Sequence, residues 1–167
     1  MDAAFIRLKN TGVDAFIYEN GNHYYPGDQP DNSKKVGIIE YLMPTSKMIG
    51  TIVYKSGKTT GVTYGKIERI DYNWTPNSNK AIYPTILITR CPDNQCYYDD
   101  YIAYYGDSGG IVYIRDIIYA QRIDGPYDYG TKVIGILNGK SNYDTKFIEV
   151  VASWAAKVKD KWPELNI

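Results

Sequence analysis

The sequence predicts an all-β domain, a barrel or a sandwich, closed by a C-terminal α-helix. Three observations carry this. Short segments rich in β-branched and aromatic residues recur along the chain. Turn-forming clusters of Gly, Asn, Ser and Pro separate them. Tyrosine is abundant, at 18 of 167 residues, and supplies both β-propensity and amphipathic surface.

Taken in order, Ala4-Phe5-Ile6-Arg7-Leu8 reads as a strand stopped by Lys9-Asn10-Thr11-Gly12. Gly21 to Lys35 is polar and turn-rich, and reads as a long connector. Ile49 to Tyr54 and Val62 to Tyr72 form a hairpin about the turn Lys55-Ser56-Gly57-Lys58. Tyr72 to Lys80 reads as a loop, and Ala81 to Thr89 as a strand. Ile111 to Ile114 and Lys132 to Leu137 complete the set. Phe147, Val150, Val151, Trp154 and Val158 then fall at helical spacing, with Asp144 or Thr145 as the cap and Pro163 beyond the end.

Composition excludes several classes. Nineteen basic residues balance nineteen acidic ones, so no net field draws the chain to nucleic acid or an anionic membrane. Apolar runs are too short for a membrane-spanning helix. The start shows no signal-peptide pattern, so an exported protein would carry its signal upstream. Cys91 and Cys96 flank Pro92-Asp93-Asn94-Gln95, which suits either a small disulfide loop or two reduced thiols. Two cysteines and one distant histidine do not make a zinc site, and no metal or cofactor is expected. Ser56-Gly57-Lys58-Thr59-Thr60 ends like a phosphate-binding loop. Ile52, however, stands where that motif needs glycine, and strands flank it.

The chemistry concentrates in Tyr101-Ile102-Ala103-Tyr104-Tyr105-Gly106-Asp107-Ser108-Gly109-Gly110-Ile111-Val112. Glycines at 106, 109 and 110 free the backbone for a tight turn. Such a turn can aim the N–H groups of Gly106 and Ser108 at one point, which would stabilise an oxyanion. Asp107 would turn inward, where it needs a positive partner or several N–H donors.

Gly106-Asp107-Ser108-Gly109-Gly110 resembles the nucleophile motif of the chymotrypsin-like serine proteases. Met48 to Ile67, with Thr59-Thr60-Gly61 at its centre, resembles the opening hairpin of the C-terminal barrel in the streptogrisin-like members. Val133-Ile134-Gly135-Ile136-Leu137-Asn138-Gly139 resembles their pocket-lining strand. The resemblance implies a trypsin-like barrel over residues 45–167, ending in a helix. Residues 1–44 would be a remnant of the N-terminal barrel and the linker. It implies Ser108 as nucleophile and Asp2, in Asp2-Ala3-Ala4-Phe5-Ile6-Arg7-Leu8, as the aspartate that orients a histidine.

The family's histidine motif is absent. His23, the chain's one histidine, lies in a turn-like context after the aspartate, and reads better as a surface-loop residue than as a base. The resemblance also places Ile102 at the pocket floor, with Tyr105, Asn138, Gly139 and Lys140 around it. Lys140 would narrow the cleft. The implied activity is peptide-bond hydrolysis by Ser108, incomplete without a histidine. The alternative is a non-catalytic protease-like binding protein with a Tyr-rich surface. The expected partners are a protein or peptide substrate, and a missing N-terminal barrel or a second copy. The family implies an extracellular setting.

Overall fold

The computed structural model describes residues 16–18, 35–76, 80–90, 101–117, 129–144 and 147–161. Eight strands and one helix are formed there. They are β1 (Phe16–Tyr18), β2 (Lys35–Tyr41), β3 (Ile52–Gly57), β4 (Gly61–Trp74), β5 (Ile82–Thr89), β6 (Ile111–Ile117), β7 (Tyr129–Lys140), β8 (Glu149–Trp154) and α1 (Ala155–Lys161). A 3₁₀ turn, Ser46–Met48, precedes β3. No helix among the described residues is long and apolar enough to cross a membrane.

Strands β7, β6, β3, β4, β5 and β8 pair in that order, and β8 returns to β7, closing a six-stranded antiparallel barrel. Closure needs strands that bend. The 14-residue β4 does so through three register shifts against β5. Its first half pairs with β3 and the rest with β5. β7 divides its work similarly. Its Gly135–Lys140 half pairs with β8, while its Gly130–Val133 half receives β2 as a parallel neighbour. β1 pairs antiparallel with β2.

Alternating inward residues fill the barrel: Val53 from β3, Ile67 from β4, Ile86 and Ile88 from β5, Val112 from β6, Ile134 from β7, and Val150 and Ala152 from β8. On the outside, Tyr113, Val133 and Ala155 join the start of α1 to the wall. The Trp154 indole N–H donates to the Ile70 carbonyl at 3.0 Å, tying the end of β8 to β4. Trp154→Phe is expected to lower stability by about 1 kcal/mol, read by urea denaturation. An unchanged midpoint would show that the bond adds nothing net.

The strands expected from Ile49 to Leu137 are present, with shifted bounds. The hairpin turn lies at 58–60, so Lys55 and Ser56 belong to β3. β4 continues to Trp74, into the expected loop. The C-terminal helix is shorter than expected. Glu149–Trp154 is a strand, and the helix starts only at Ala155. β8 is covered on both faces: Val150 and Ala152 point into the barrel, and Val151 packs outside with Tyr72 and Leu87. A strand buried on both faces loses its alternation, and its apolar residues then mimic helical spacing. Asp144 caps no helix; its carboxylate accepts the Glu149 amide at 2.8 Å. β2 and its pairing were not anticipated. The expected strand at Ala4–Leu8 lies outside the described residues, as do Thr145 and Pro163.

Candidate active site

The segment 101–110 leads into β6. Backbone bonds fix it at several points. The Ile102 amide donates to the Phe147 carbonyl (3.0 Å) and the Gly109 amide to Leu137 (2.8 Å). The Leu137 amide donates to Gly110 (2.8 Å). Gly106 and Gly109 take left-handed φ values of 98° and 87°, which a side chain would disfavour.

Asp107 turns inward and is 1% exposed. The Thr59 and Thr60 amides donate to one carboxylate oxygen at 2.7 and 3.1 Å. The Thr60 hydroxyl and Tyr104 amide donate to the other at 2.7 and 2.9 Å. Lys55, itself 2% exposed, completes the set, with Nζ 3.2 Å from Oδ2. It occupies the inward position of β3 two residues after Val53. Lys55 Nζ also donates to the Thr60 hydroxyl (2.5 Å) and the Gly61 carbonyl (3.0 Å). Burial pushes the Asp107 carboxyl up, and this is the largest single influence. The Thr60 hydroxyl, the Lys55 charge and the amides of Tyr104 and Thr60 together outweigh it, so the pKa lies below the ordinary carboxylate value.

This anchoring turns Ser108 outward. Ser108 is exposed, and its hydroxyl donates to the Asn138 carbonyl at 2.9 Å. The amides of Asp107, Gly109 and Gly110 donate to the carbonyls of Tyr104, Leu137 and Asp107. Those of Gly106 and Ser108 have no partner among the described residues.

Ser108 borders a cavity of about 450 Å³. Of the expected pocket residues, Tyr105, Asn138, Gly139 and Lys140 line it together with Gly106. Ile102 does not. It is 2% exposed and packs in the barrel core, with the Thr63 hydroxyl on its carbonyl, and Ala103 and Tyr104 line the cavity in its place. Trp74 and Phe147 were not foreseen; both line the cavity. Phe147 anchors an aromatic cluster, its ring centroid 5.5 Å from Tyr104 and 4.9 Å from Tyr105. Asp2, His23, Cys91 and Cys96 lie outside the described residues.

No protein-family model matches the chain, and no curated protein matches it in sequence. Among solved structures it is similar to a glutamic-acid-specific serine protease described as using a histidine triad in substrate binding. The TM-score is 0.55 at 18% identity, over 84% of this chain and 62% of that one. The chain therefore spans less than two thirds of that protein's length. The closed barrel, the terminal helix and this likeness agree: the chain has the fold of the chymotrypsin-like serine proteases.

Proposed function

We propose that this chain carries the nucleophile, oxyanion donors and substrate pocket of a serine endopeptidase, with Ser108 attacking the peptide carbonyl. One observation carries the reading: an exposed serine borders a cavity, beside two amides that have no partner among the described residues. In the reaction, Ser108 Oγ bonds to the carbonyl carbon as its proton passes to a histidine base. The carbonyl oxygen becomes the oxyanion, facing the N–H groups of Gly106 and Ser108. The base then protonates the leaving amine, and water hydrolyses the acyl-serine. The described residues include no histidine, so the base comes from His23 or from a separate N-terminal barrel. Asp2 is the residue proposed to orient it. Peptides or proteins are the proposed substrates, and an extracellular setting accords with the resemblance. The neighbour's histidine triad has no counterpart, because this sequence holds one histidine.

A second reading has its own support. The Ser108 hydroxyl donates to a backbone carbonyl, which engages the proton that a base would take. Tyr105, 68% exposed, lines the same cavity, and Tyr143, 85% exposed, follows the lining residue Asn142. Both features support reading the chain as a protease-like protein that binds peptides without cutting them.

A fluorophosphonate probe separates the two. Labelling at Ser108, located by mass spectrometry and abolished in Ser108→Ala, is the expected result for an activated nucleophile. A folded chain that takes no label would contradict the catalytic reading for this chain alone, and support the binding one. His23→Ala then tests the source of the base.

A further inference from the structure

We infer that the cavity beside Ser108 recognises a carboxylate side chain, with Lys140 as the residue that reads it. The position of the bound residue, next to the bond that would be cut, rests on the protease reading of Ser108. The recognition of a carboxylate does not.

The argument starts from charge. Among the described residues lining the cavity, Lys140 is the one charged side chain, and no Asp or Glu lines it. Three carboxylates from the flanking elements are already engaged, Asp144 among them, whose carboxylate accepts the Glu149 amide at 2.8 Å. Asp107 is buried beneath Ser108 and bonded to Lys55, Thr59, Thr60 and Tyr104. Glu149 accepts the Ser141 hydroxyl at 2.7 Å and does not line the cavity. Lys140 makes no ion pair among the described residues.

The ammonium is also held in place. It lies 5.4 Å from the centroid of the Phe147 ring, within cation–π range, a contact that orients a cation without neutralising it. Phe147 is a fixed platform, 8% exposed. Its carbonyl accepts the Ile102 amide, and its φ of 59° is one that a bulky residue adopts only where its surroundings impose it.

Position and medium complete the case. Lys140 ends β7, two residues beyond Asn138, whose carbonyl meets the Ser108 hydroxyl. A side chain entering past Ser108 therefore meets the ammonium within the same cavity. Trp74, Tyr104 and Tyr105 bring aromatic rings to the walls, and displacing water there strengthens a charge pair. A lysine or arginine side chain would be repelled. A neutral one would desolvate the ammonium with nothing in return. Asn142, also in the lining, offers an amide donor for the second carboxylate oxygen.

The test is binding, so it does not depend on catalysis. Acetyl-Ala-Ala-Pro-Glu and acetyl-Ala-Ala-Pro-Gln, both with a free C-terminus, differ only in the side-chain charge. Calorimetry on the full chain at pH 7 should show the glutamate peptide binding about tenfold more tightly. Lys140→Gln should erase the difference and Lys140→Arg should keep it, each variant matching the parent by circular dichroism. Equal binding of the two peptides, no binding of either, or a preference that survives Lys140→Gln would overturn the inference. Fluorophosphonate labelling of the same samples reads the other claim separately. Glutamate preference without labelling would sink the catalytic reading alone, and labelling without preference would sink the carboxylate pocket alone.

Discussion

Lys55→Met should destabilise the chain by about 3–5 kcal/mol at pH 7, the usual cost of leaving a buried charge without its partner. Both side chains are almost fully buried, 2% and 0% exposed, so solvent cannot take the place of the missing ammonium. Methionine matches the lysine stem in length and polarity, so lost packing is a small part of the effect. Urea denaturation of the parent and variant measures it. A loss below about 1 kcal/mol would mean that the four hydrogen bonds to Asp107 suffice without the cation. Acid supplies a second readout. The folded parent holds the Asp107 proton less tightly than the unfolded chain does. The pair's stabilisation is therefore present above the unfolded pKa, about 3.9. It is lost as pH falls below that value through the depressed folded pKa. In Lys55→Met one of the influences lowering that pKa is gone. The variant carboxyl protonates more readily, and the stability gap should narrow between pH 7 and pH 4. A gap that widened would contradict the assignment of the effect to Asp107.

Gly110→Ala should cost about 3 kcal/mol, the upper part of the range for overpacking. A Cβ there would stand 2.5 Å from the Ser56 carbonyl oxygen and 2.9 Å from that of Asp107. Both are backbone atoms, one in β3 and one in the loop itself, and neither can swing aside as a side-chain tip would. Relief requires the loop to lift away from β3, which would shift Ser108 from the cavity edge. The expected result is lower stability together with loss of any fluorophosphonate labelling seen in the parent. A variant of parental stability would show that the loop adjusts freely.

Much of the barrel was legible because its strands keep local signals. Gly106 to Gly110 mark a turn, and the hairpin turn expected at Lys55-Ser56-Gly57-Lys58 lies only a few residues from its actual place at 58–60. Asp107 was readable as an inward group in need of donors, since a buried carboxylate has few alternatives. Its partners were not readable, because Lys55 lies 52 residues away and only strand pairing brings the two together. The alternation of Val53 and Lys55 was the available clue: it puts the lysine on the inward face. β8 was misread as helix because packing on both faces removes the period of two. β2 was missed because it is held by β7, with Gly37 paired to Gly130 and Tyr41 to Val133, and no local motif announces such a distant partner. Ile102 followed the family's spacing to the pocket floor, whereas core packing draws it behind Ala103 and Tyr104.

The ring of six strands has a further consequence, for solubility. Each of its members has a strand on either side, from β7 round to β8 and back. A foreign segment seeking unpaired backbone, as in edge-to-edge aggregation, finds no terminal strand in the ring. Among the described residues the sheet ends at β1, a strand three residues long, and at the part of β2 beyond its pairing with β1. The antiparallel wall that presents Ser108 is thereby shielded from the strand addition that threatens open sheets, and among the described strands any such growth is directed to the appended β1 and β2.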